Sequence, residues 1–418
     1  MTDQPMINGE RLWSRLMAMA EIGATKNGGV CRLALTELDA KGRDLFADWS
    51  RQAGCTVKCD TMGNMFFRRA GTRNHALPIA SGSHLDSQAT GGRFDGVYGV
   101  LAALEVIETL NDSGIQTHHP FEAVVWTNEE GARFTPAMIG SGVFSGAFSE
   151  AYAYARVDDE GTSFEDALKA IDYCGQEPCG QHRFKAHFEL HIEQGPILES
   201  RNLPIGIVTG VQGIRWYEIK VIGSETHAGP SPMSMRRDPV PTAAAIISAL
   251  YAKIGEYDEH ARCTIGRISA SPGSINTVPG YVTFSVDLRH PNADTLASLD
   301  HALRDILSSA TADSRIEARL EPIWHSPPVV FDENCISDVT EAAAVLRQTA
   351  MVMVSGAGHD SVYVSRVAPT GMIFIPCKDG LSHNEAEDVD RAHVVAGGNV
   401  LLHAMLAHDR RYSGVERP

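Results

Sequence analysis

The feature that most constrains the fold is an alternation of apolar runs with a helical segment between residues 76 and 131. ALPIASGS and HPFEAVVW have the composition of buried strands, and GVYGVLAALEVIETLNDSG between them has the pattern of a helix closed by glycine. No hairpin signal joins the two strands, so the connection is a crossover, which requires parallel strands with helices on the faces of the sheet. The chain is therefore predicted to be an α/β protein.

The segments on either side extend the same pattern. ERLWSRLMAMAEIG and TELDAKGRDLFADWSRQAG space their apolar residues as amphipathic helices do, and CTVKCDTMGNMFFRRAG after them is an extended stretch with a turn at Met62–Asn64. FKAHFELHIEQG alternates strictly, with Phe188, Leu190 and Ile192 on one face and polar residues on the other, which is the periodicity of a strand. The apolar run GMIFIPC predicts a further strand near the end of the chain.

A complete second domain is predicted within the chain. Residues 213–326 run as strand, helix, two strands around a Gly/Pro turn, helix and strand, which is the β-α-β-β-α-β order of a ferredoxin-like domain. Because such a unit is self-contained and the α/β pattern resumes after it, we expect it to be inserted into the first domain. The predicted organisation is a domain of residues 1–212 and 327–418, interrupted by a smaller α+β domain of residues 213–326.

Composition limits the environment and the partners. The chain has 36 lysines and arginines against 52 aspartates and glutamates, a net charge of −16, whereas nucleic acids and anionic membranes attract basic surfaces. No apolar run approaches the roughly 18 residues of a membrane span, and the N-terminus lacks the pattern of a secretory signal. The eight cysteines are scattered without a CxxC pair. We expect a cytoplasmic protein with reduced thiols that binds neither nucleic acid nor membranes.

Ionisable side chains fall at or near the ends of several predicted strands. In open α/β sheets, ligands bind outside the carboxyl ends of the strands. Imidazole and carboxylate groups are also the ligands that first-row metal ions take in proteins. This coincidence predicts a metal site. The residues concerned are His84, Asp86, Asp95, Glu129, Glu130, His191 and His383.

Each of these residues also has an ordinary structural explanation. A single histidine is commonly a surface or hydrogen-bonded core residue, an aspartate in a glycine-rich loop is commonly a turn or cap residue, and adjacent glutamates are commonly solvated. Other catalytic motifs lack support: HFELH is not HExxH and lies in a predicted strand, and neither GxSxG nor a glycine-rich phosphate-binding motif occurs. The residues alone leave the metal site and the structural explanation open.

The motifs around these residues resemble those of the hydantoinase/carbamoylase family of metal amidohydrolases, within the zinc-aminopeptidase-like superfamily. They are S-G-S-H-L-D-S at 81–87, G-G-R-F-D-G at 91–96, T-N-E-E-G-A-R-F at 127–134, E-L-H-I-E-Q-G-P at 189–196 and L-S-H-N-E-A-E at 381–387. The inserted domain adds T-H-A-G-P-S-P-M at 226–233, S-I-N-T-V-P-G at 274–280 and D-L-R-H-P at 287–291. The resemblance therefore runs through nearly the whole chain and implies a metallopeptidase-like catalytic domain with a mixed sheet.

The resemblance implies two divalent metal ions. His84 and His191 would hold one, Glu130 and His383 the other, and Asp95 would bridge both. Zinc is the default for such a ligand set, and Mn, Co or Ni would fit the same ligands. Many related peptidases have a carboxylate at the position of His191, so the histidine favours the carbamoylase branch.

The same resemblance implies the catalytic and substrate-binding roles. Glu129 would be the general base, and Asp86 would be the acid that orients the imidazole of His84. His227 would contact the substrate and stabilise its oxyanion, and Arg289 would clamp the substrate carboxylate. The further substrate contacts are Gln194, Asn276 and the backbone of Gly358.

The implied reaction is hydrolysis of a linear amide, an N-carbamoyl (ureido) group on an amino acid, as in N-carbamoyl-L-amino-acid hydrolases and β-ureidopropionases. An allantoate or ureidoglycolate amidohydrolase, a metallopeptidase or deacylase, and a catalytically inactive homologue are the alternatives. The substrate would be a small molecule with a free carboxylate. The inserted domain would form a homodimer and act as a lid, with His227 reaching the partner's site while Asn276 and Arg289 serve their own.

Overall fold

The computed structural model describes residues 4–312 and 315–412. The chain divides into two compact units: one comprises the chain up to Gly210 and from Val330 onward, and the other comprises Val211–Val329. Among the described helices, none combines the length and apolar character that crossing a membrane requires. All eight cysteines are free thiols.

Strands and helices alternate along most of the chain. The strands are β1 Thr56–Cys59, β2 Met65–Arg69, β3 Ile79–His84, β4 Phe121–Trp126, β5 Ala186–Ile192, β6 Ile205–Val211, β7 Gly213–Ile222, β8 Thr226–His227, β9 Arg262–Thr264, β10 Ile268–Ser271, β11 Thr277–Val278, β12 Tyr281–His290, β13 Glu317–Ser326, β14 Val329–Val330, β15 Ala350–Ser355 and β16 Thr370–Ile375. The α-helices are α1 Gly9–Ala20, α2 Glu37–Gln52, α3 Val97–Asp112, α4 Ile139–Phe144, α5 Glu150–Tyr154, α6 Phe164–Ala170, α7 Ile197–Ser200, α8 Pro239–Ile254, α9 Ala293–Thr311, α10 Glu333–Val345, α11 Ser361–Val364 and α12 Arg391–Arg411.

The first unit is built on a mixed sheet. Its strand order is β1-β2-β4-β3-β5-β16-β6-β14, with β15 beside β6. The central strands β4, β3, β5 and β16 run parallel to one another, and β2 and β6 flank them in antiparallel pairs. The prediction of an α/β fold with a parallel crossover is confirmed, because β3 and β4 pair in parallel and α3 connects them.

Helices cover this sheet and bury both faces of its central strands. α3 and α12 pack on one face with α1 and α10 against them, and Leu190 and Ile192 of β5 belong to that core. The opposite face of β5 presents His187, Glu189 and His191, and these side chains are buried as well. The alternation predicted for this strand is present, and the buried polar face is what the site is built on.

The second unit is an antiparallel sheet with helices. Its strand order is β10-β12-β7-β13, with β9 beside β12. The amphipathic helices α8 and α9 pack against each other and against this sheet around a core that includes Ile219, Phe284 and Leu303. A separate two-stranded ribbon pairs β8 with β11, so that His227 lies opposite Thr277.

Candidate metal centre

The predicted ligands converge at the carboxyl ends of four adjacent strands. His84 is the last residue of β3, and His191 lies one residue before the end of β5. The pair Glu129–Glu130 follows β4, and His383 follows β16. Because β4, β3, β5 and β16 are parallel neighbours, their ends meet at one edge of the sheet. Asp95, in the loop before α3, reaches the same place.

The carboxylate of Asp95 lies at the centre of this cluster. Its Oδ1 is 3.7 Å from Nε2 of His84 and 3.2 Å from Nε2 of His191. Its Oδ2 is 3.4 Å from Nε2 of His383, and the same nitrogen is 3.2 Å from Oε2 of Glu130. Asp95 is therefore shared by two donor sets, and the donor atoms of each set lie within 4.8 Å of one another.

The tautomers of the two buried histidines suit metal binding. Nδ1 of His84 lies 2.9 Å from the backbone oxygen of Asp86, and Nδ1 of His191 lies 2.9 Å from that of Ile192. A carbonyl oxygen only accepts, so Nδ1 carries the hydrogen and the lone pair of each neutral ring is on Nε2, which faces Asp95. When Nε2 carries no proton, its lone pair is available to a cation held beside Asp95, so the donor set fits a divalent ion. A proton on Nε2 of His191 fills the same place by donating to Asp95.

The imidazole ring of His84 packs closely against Gly96. The residue has a φ of +67°, which favours glycine, and a Cβ at this position would clash with the imidazole of His84. The glycine of G-G-R-F-D-G is therefore required by both its backbone conformation and its contact with the site.

The buried carboxylates favour the protonated, positively charged form of His191 and His383. Burial disfavours the charged form of Asp95, but hydrogen bonds from His191 and His383 outweigh it and hold the pKa of Asp95 well below its usual range. Burial also opposes charge on His191, yet its hydrogen bond to Asp95 raises the pKa of this imidazole to about 9. Hydrogen bonds to Asp95 and Glu130 raise the pKa of His383 to about 10. A divalent cation would supply the same positive charge.

Glu129 lies beside the cluster without joining either donor set. Its side chain is buried, and Oε2 is 3.5 Å from Nε2 of His84. Burial raises its pKa well above the usual range, and the charges of Asp360 and Glu130 add to this shift. The raised pKa marks a carboxylate that takes up a proton readily, as a general base must.

Asp86 is placed differently from the expectation. Its carboxylate lies 3.9 Å from Nδ1 of His84, beyond hydrogen-bonding distance, and it is the backbone oxygen of Asp86 that faces this nitrogen. The carboxylate instead accepts hydrogen bonds from the backbone N–H groups of Glu129, at 3.3 Å, and Glu130, at 3.2 Å. Asp86 therefore holds the loop that carries the two glutamates, and its side chain does not orient the imidazole.

A third group of potential ligands, Glu189, His191 and His359, lies beneath the cluster. Its donors are already occupied by hydrogen bonds. Ser83 Oγ donates to one oxygen of Glu189, and the backbone N–H and Oγ of Ser361 donate to the other. The His359 ring is hydrogen-bonded to a serine hydroxyl. This group is a buried polar support for the floor of the site.

Two of the predicted substrate contacts lie in the first unit. Gln194 has a φ of +56°, and its Nε2 donates to Oδ2 of Asp95 at 3.0 Å, so it lies at the centre of the cluster. Gly358 lies between β15 and α11, next to the side chain of Met138.

The other predicted contacts lie in the second unit. His227, on β8, and Asn276, in the turn just before β11, are exposed, and the backbone N–H of Ala228 donates to the backbone oxygen of Asn276. Nδ1 of His227 accepts from the Gly229 N–H at 3.0 Å, which leaves the hydrogen of the neutral ring on Nε2. Arg289 on β12 donates from Nε and Nη2 to the carboxylate of Asp287.

The sequence did not single out two residues that support the ligands, Gln88 and Glu387. The backbone N–H and Nε2 of Gln88 donate to the two oxygens of Glu130, at 3.2 and 2.8 Å. Glu387 accepts from the backbone of the loop that carries Asp95. Gln88 follows one of the recognised motifs and Glu387 is the last residue of another, but no periodicity or spacing distinguishes a supporting residue from its neighbours.

The fold and the site define the class of the protein. The model of peptidase family M20/M25/M40 matches residues 80–407, and the chain belongs to this family of metal-dependent hydrolases. A crystal structure of an amidase of the hydantoinase/carbamoylase family from Burkholderia multivorans is 52% identical, has a TM-score of 0.93, and covers 97% of this chain and 98% of its own.

Curated relatives narrow the class further. An N-carbamoyl-L-amino-acid amidohydrolase of Rhizobium meliloti is 46% identical over 400 residues, 96% of this chain and 96% of the relative. An allantoate amidohydrolase of Bacillus subtilis is 33% identical over 371 residues, 88% of this chain and 90% of the relative. Within its family the chain is an amidohydrolase of the hydantoinase/carbamoylase type, as the motifs predicted.

Proposed function

We propose that the protein hydrolyses the N-carbamoyl group of an L-amino acid. The observation that carries the proposal is the position of Asp95 between two donor sets, with Glu129 beside them. The identity of 46% with an N-carbamoyl-L-amino-acid amidohydrolase supports this substrate class over allantoate, because the allantoate amidohydrolase is more distant.

Two divalent ions would occupy the centre. His84 and His191 would hold one, Glu130 and His383 the other, and Asp95 would be shared. When bound, such ions polarise a carbonyl group and lower the pKa of water. Zinc is the default ion, and the same imidazole and carboxylate ligands accept Mn, Co or Ni.

Glu129 would move the proton. Its carboxylate takes a proton from the attacking water as the oxygen adds to the ureido carbon, and it returns this proton to the α-nitrogen as the carbon–nitrogen bond breaks. The products are the free amino acid and carbamate, which decomposes to carbon dioxide and ammonia. Burial keeps competing water away from Glu129, and the hydrogen bond from its backbone to Asp86 fixes its loop.

The remaining predicted residues would bind the substrate. Arg289 would clamp the free carboxylate with its planar fork, assisted by Asn276 and by backbone N–H donors at Gly358. Gln194, already in contact with Asp95, would face the reacting group. The neutral tautomer of His227 carries its hydrogen on Nε2 and would donate it to the developing oxyanion.

The second unit would serve as the dimerisation and lid domain of a homodimer. It is a compact unit with its own core, and it carries three of the proposed substrate contacts, His227, Asn276 and Arg289. A two-fold pairing of such domains is a common way for subunits to exchange residues between sites.

The test is ammonia release from a panel of substrates. Protein stripped with a chelator is assayed on N-carbamoyl-L-amino acids, N-carbamoyl-β-alanine, allantoate, ureidoglycolate and dipeptides, with Zn, Mn, Co or Ni added. We expect no activity without metal and the highest kcat/KM on an N-carbamoyl-L-amino acid. Full activity in the stripped protein would refute the metal mechanism, and a preference for allantoate or a dipeptide would replace the substrate assignment.

A further inference from the structure

Two of the proposed ligands, Asp95 and His383, lie on loops and not on strands. Residues 91–96, the Asp95 loop, precede α3, and residues 382–388, the His383 loop, precede α12. The ligands at the strand ends are held differently. Nδ1 of His84 and Nδ1 of His191 are each anchored by a hydrogen bond to a neighbouring backbone oxygen. His383 has a side chain 51% exposed and a φ of +53°. The second donor set therefore depends on how the two loops are held together.

The side chain of Glu387 connects the two loops. Its Oε1 accepts from the backbone N–H of Phe94 at 2.9 Å and from that of Asp95 at 3.1 Å. Its Oε2 accepts from Oγ of Ser382 at 3.0 Å, and this hydroxyl lies 3.1 Å from Oδ2 of Asp95. Glu387 is 1% exposed. One buried carboxylate thus holds the main chain of Asp95, and the Ser382 hydroxyl, which can donate its one hydrogen to either carboxylate, lies between Glu387 and the side chain of Asp95.

The loops fit around this carboxylate without spare room. A Cβ at Gly92 would clash with the carboxylate of Glu387, so the second glycine of G-G-R-F-D-G allows the approach. Gln194 donates to both Ser382 Oγ and Asp95 Oδ2, and so closes the network on the side of the metal cluster. These hydrogen bonds constrain the position of Asp95 and of Ser382, the residue next to His383.

We propose that Glu387 is the positioning residue that preforms the second metal position, the one shared by Asp95, Glu130 and His383. This inference rests on the proposed two-ion function. Both positions share Asp95, but the first adds two strand-end histidines that are anchored independently of Glu387. The loss of Glu387 should therefore weaken the second ion more than the first. For this role, the side chain at position 387 must accept the hydrogen bonds from the backbone N–H groups of Phe94 and Asp95 at the distances observed.

Two variants of Glu387 distinguish the effect of side-chain length from the effect of side-chain charge. Glu387→Gln keeps the length of the side chain: its amide oxygen still accepts from Phe94 and Asp95, and its NH₂ donates to Ser382. Glu387→Asp keeps the charge but retracts the carboxylate by one carbon–carbon bond, about 1.5 Å, out of reach of both N–H groups. Glu385→Asp is the matched control, because this partly exposed residue two positions earlier contacts Asn27 and not the Asp95 loop.

The readout is metal binding and not activity alone. Ions bound per chain are counted by equilibrium dialysis and elemental analysis over a range of free zinc, with circular dichroism to verify folding. We expect two ions in the wild type, in Glu387→Gln and in Glu385→Asp. In Glu387→Asp we expect the affinity for one ion to fall at least about 10-fold, the usual lower effect of losing a hydrogen-bond partner of a ligand, and the affinity for the other ion to fall by less.

The outcomes distinguish this inference from the proposed function. A wild-type chain that binds fewer than two ions overturns the proposed function and this inference with it. If the wild type binds two ions and Glu387→Asp binds them equally well, only the positioning role is refuted. Equal loss of the second ion in Glu387→Gln and Glu387→Asp also refutes it, because charge would then be required as well as reach.

Discussion

Asp95 is the residue on which the proposed centre depends most, because both of its oxygens are engaged. Oδ1 faces the imidazoles from β3 and β5, and Oδ2 faces His383. A glutamate would place this carboxylate one methylene further into the cluster, and an asparagine would present an N–H₂ group to one of the two donor sets. At this position in the loop, an aspartate is therefore the residue whose carboxylate can contact both proposed ions.

The role of Glu129 predicts the effect of removing its charge. Glu129→Gln keeps the shape of the side chain but cannot accept the proton, so turnover should fall at least about 10²-fold, the lower end for loss of a general base. Metal content should stay near that of the wild type. The measurements are steady-state kinetics and elemental analysis of the same preparation.

Glu130→Gln is the contrasting variant, because the adjacent residue belongs to a donor set and should lose an ion when neutralised. If Glu129→Gln loses metal instead, Glu129 is a ligand. If it retains most of its turnover, the base is another residue.

Arg289 already binds a carboxylate in the structure, since its Nε and Nη2 donate to Asp287. Arg289→Lys keeps the charge but removes the planar fork. We expect kcat/KM to fall about 10- to 100-fold on N-carbamoyl amino acids, the range for loss of a charge-assisted hydrogen bond. Carbamoyl amines without a carboxylate should show a small loss, and equal losses on both substrates would exclude Arg289 from carboxylate recognition.

At the scale of the element, β5 shows what a sequence pattern determines and what it does not. Alternation of apolar and polar residues predicted the strand and its core face correctly. It could not predict that the polar face is buried, because the groups that satisfy Glu189 come from Ser83 and Ser361, far away in the chain. The coverage of a face depends on tertiary contacts, which a local period does not contain.

The same strand predicts a pH dependence of stability. His187 is fully buried, neither ring nitrogen has a hydrogen-bond partner among the described residues, and burial lowers its pKa to about 4 from 6.5. The unfolded chain therefore binds more protons between these two values, so stability is full above pH 6.5 and is lost as pH falls towards 4. The loss from this group alone can reach about 3 kcal/mol.

His187→Phe should remove this component, because the ring packs between Trp126 and Phe184 and needs no proton partner there. The fall in thermal midpoint between about pH 7 and pH 5 should become smaller than in the wild type. His75→Phe, at an exposed position of the same unit, should leave the fall unchanged. An unchanged pH dependence in His187→Phe would assign the acid sensitivity to other groups.

At the scale of the whole molecule, the candidate site was predictable where it follows from topology. Once β3, β4, β5 and β16 are parallel neighbours, the residues at their ends must converge, and the motifs named those residues. Contacts between loops were not predictable in this way: the carboxylate of Asp86 holds the backbone of Glu129, and Glu387 holds that of Asp95. Such bonds depend on loop conformation, for which the sequence carries no repeating signal.

The assembly proposed for the second unit can be tested by complementation. His227 is exposed on the β8–β11 ribbon opposite Thr277, and Asn276 lies in the turn immediately before β11. If His227 acts in the partner's site, a heterodimer of Glu129→Gln and His227→Ala contains one site with both residues intact.

Random exchange makes half of the dimers heterodimers, each with one of its two sites intact, so mixing these two inactive variants should restore up to about a quarter of wild-type activity. Exchange is verified by co-purification of differently tagged copies. The control mixture is Glu129→Gln with Glu130→Gln, whose defects lie in the same unit, so that every site of a heterodimer carries one of them and no activity should return. Verified exchange without recovery in the first mixture would mean that His227 acts within its own subunit or does not contribute to the reaction.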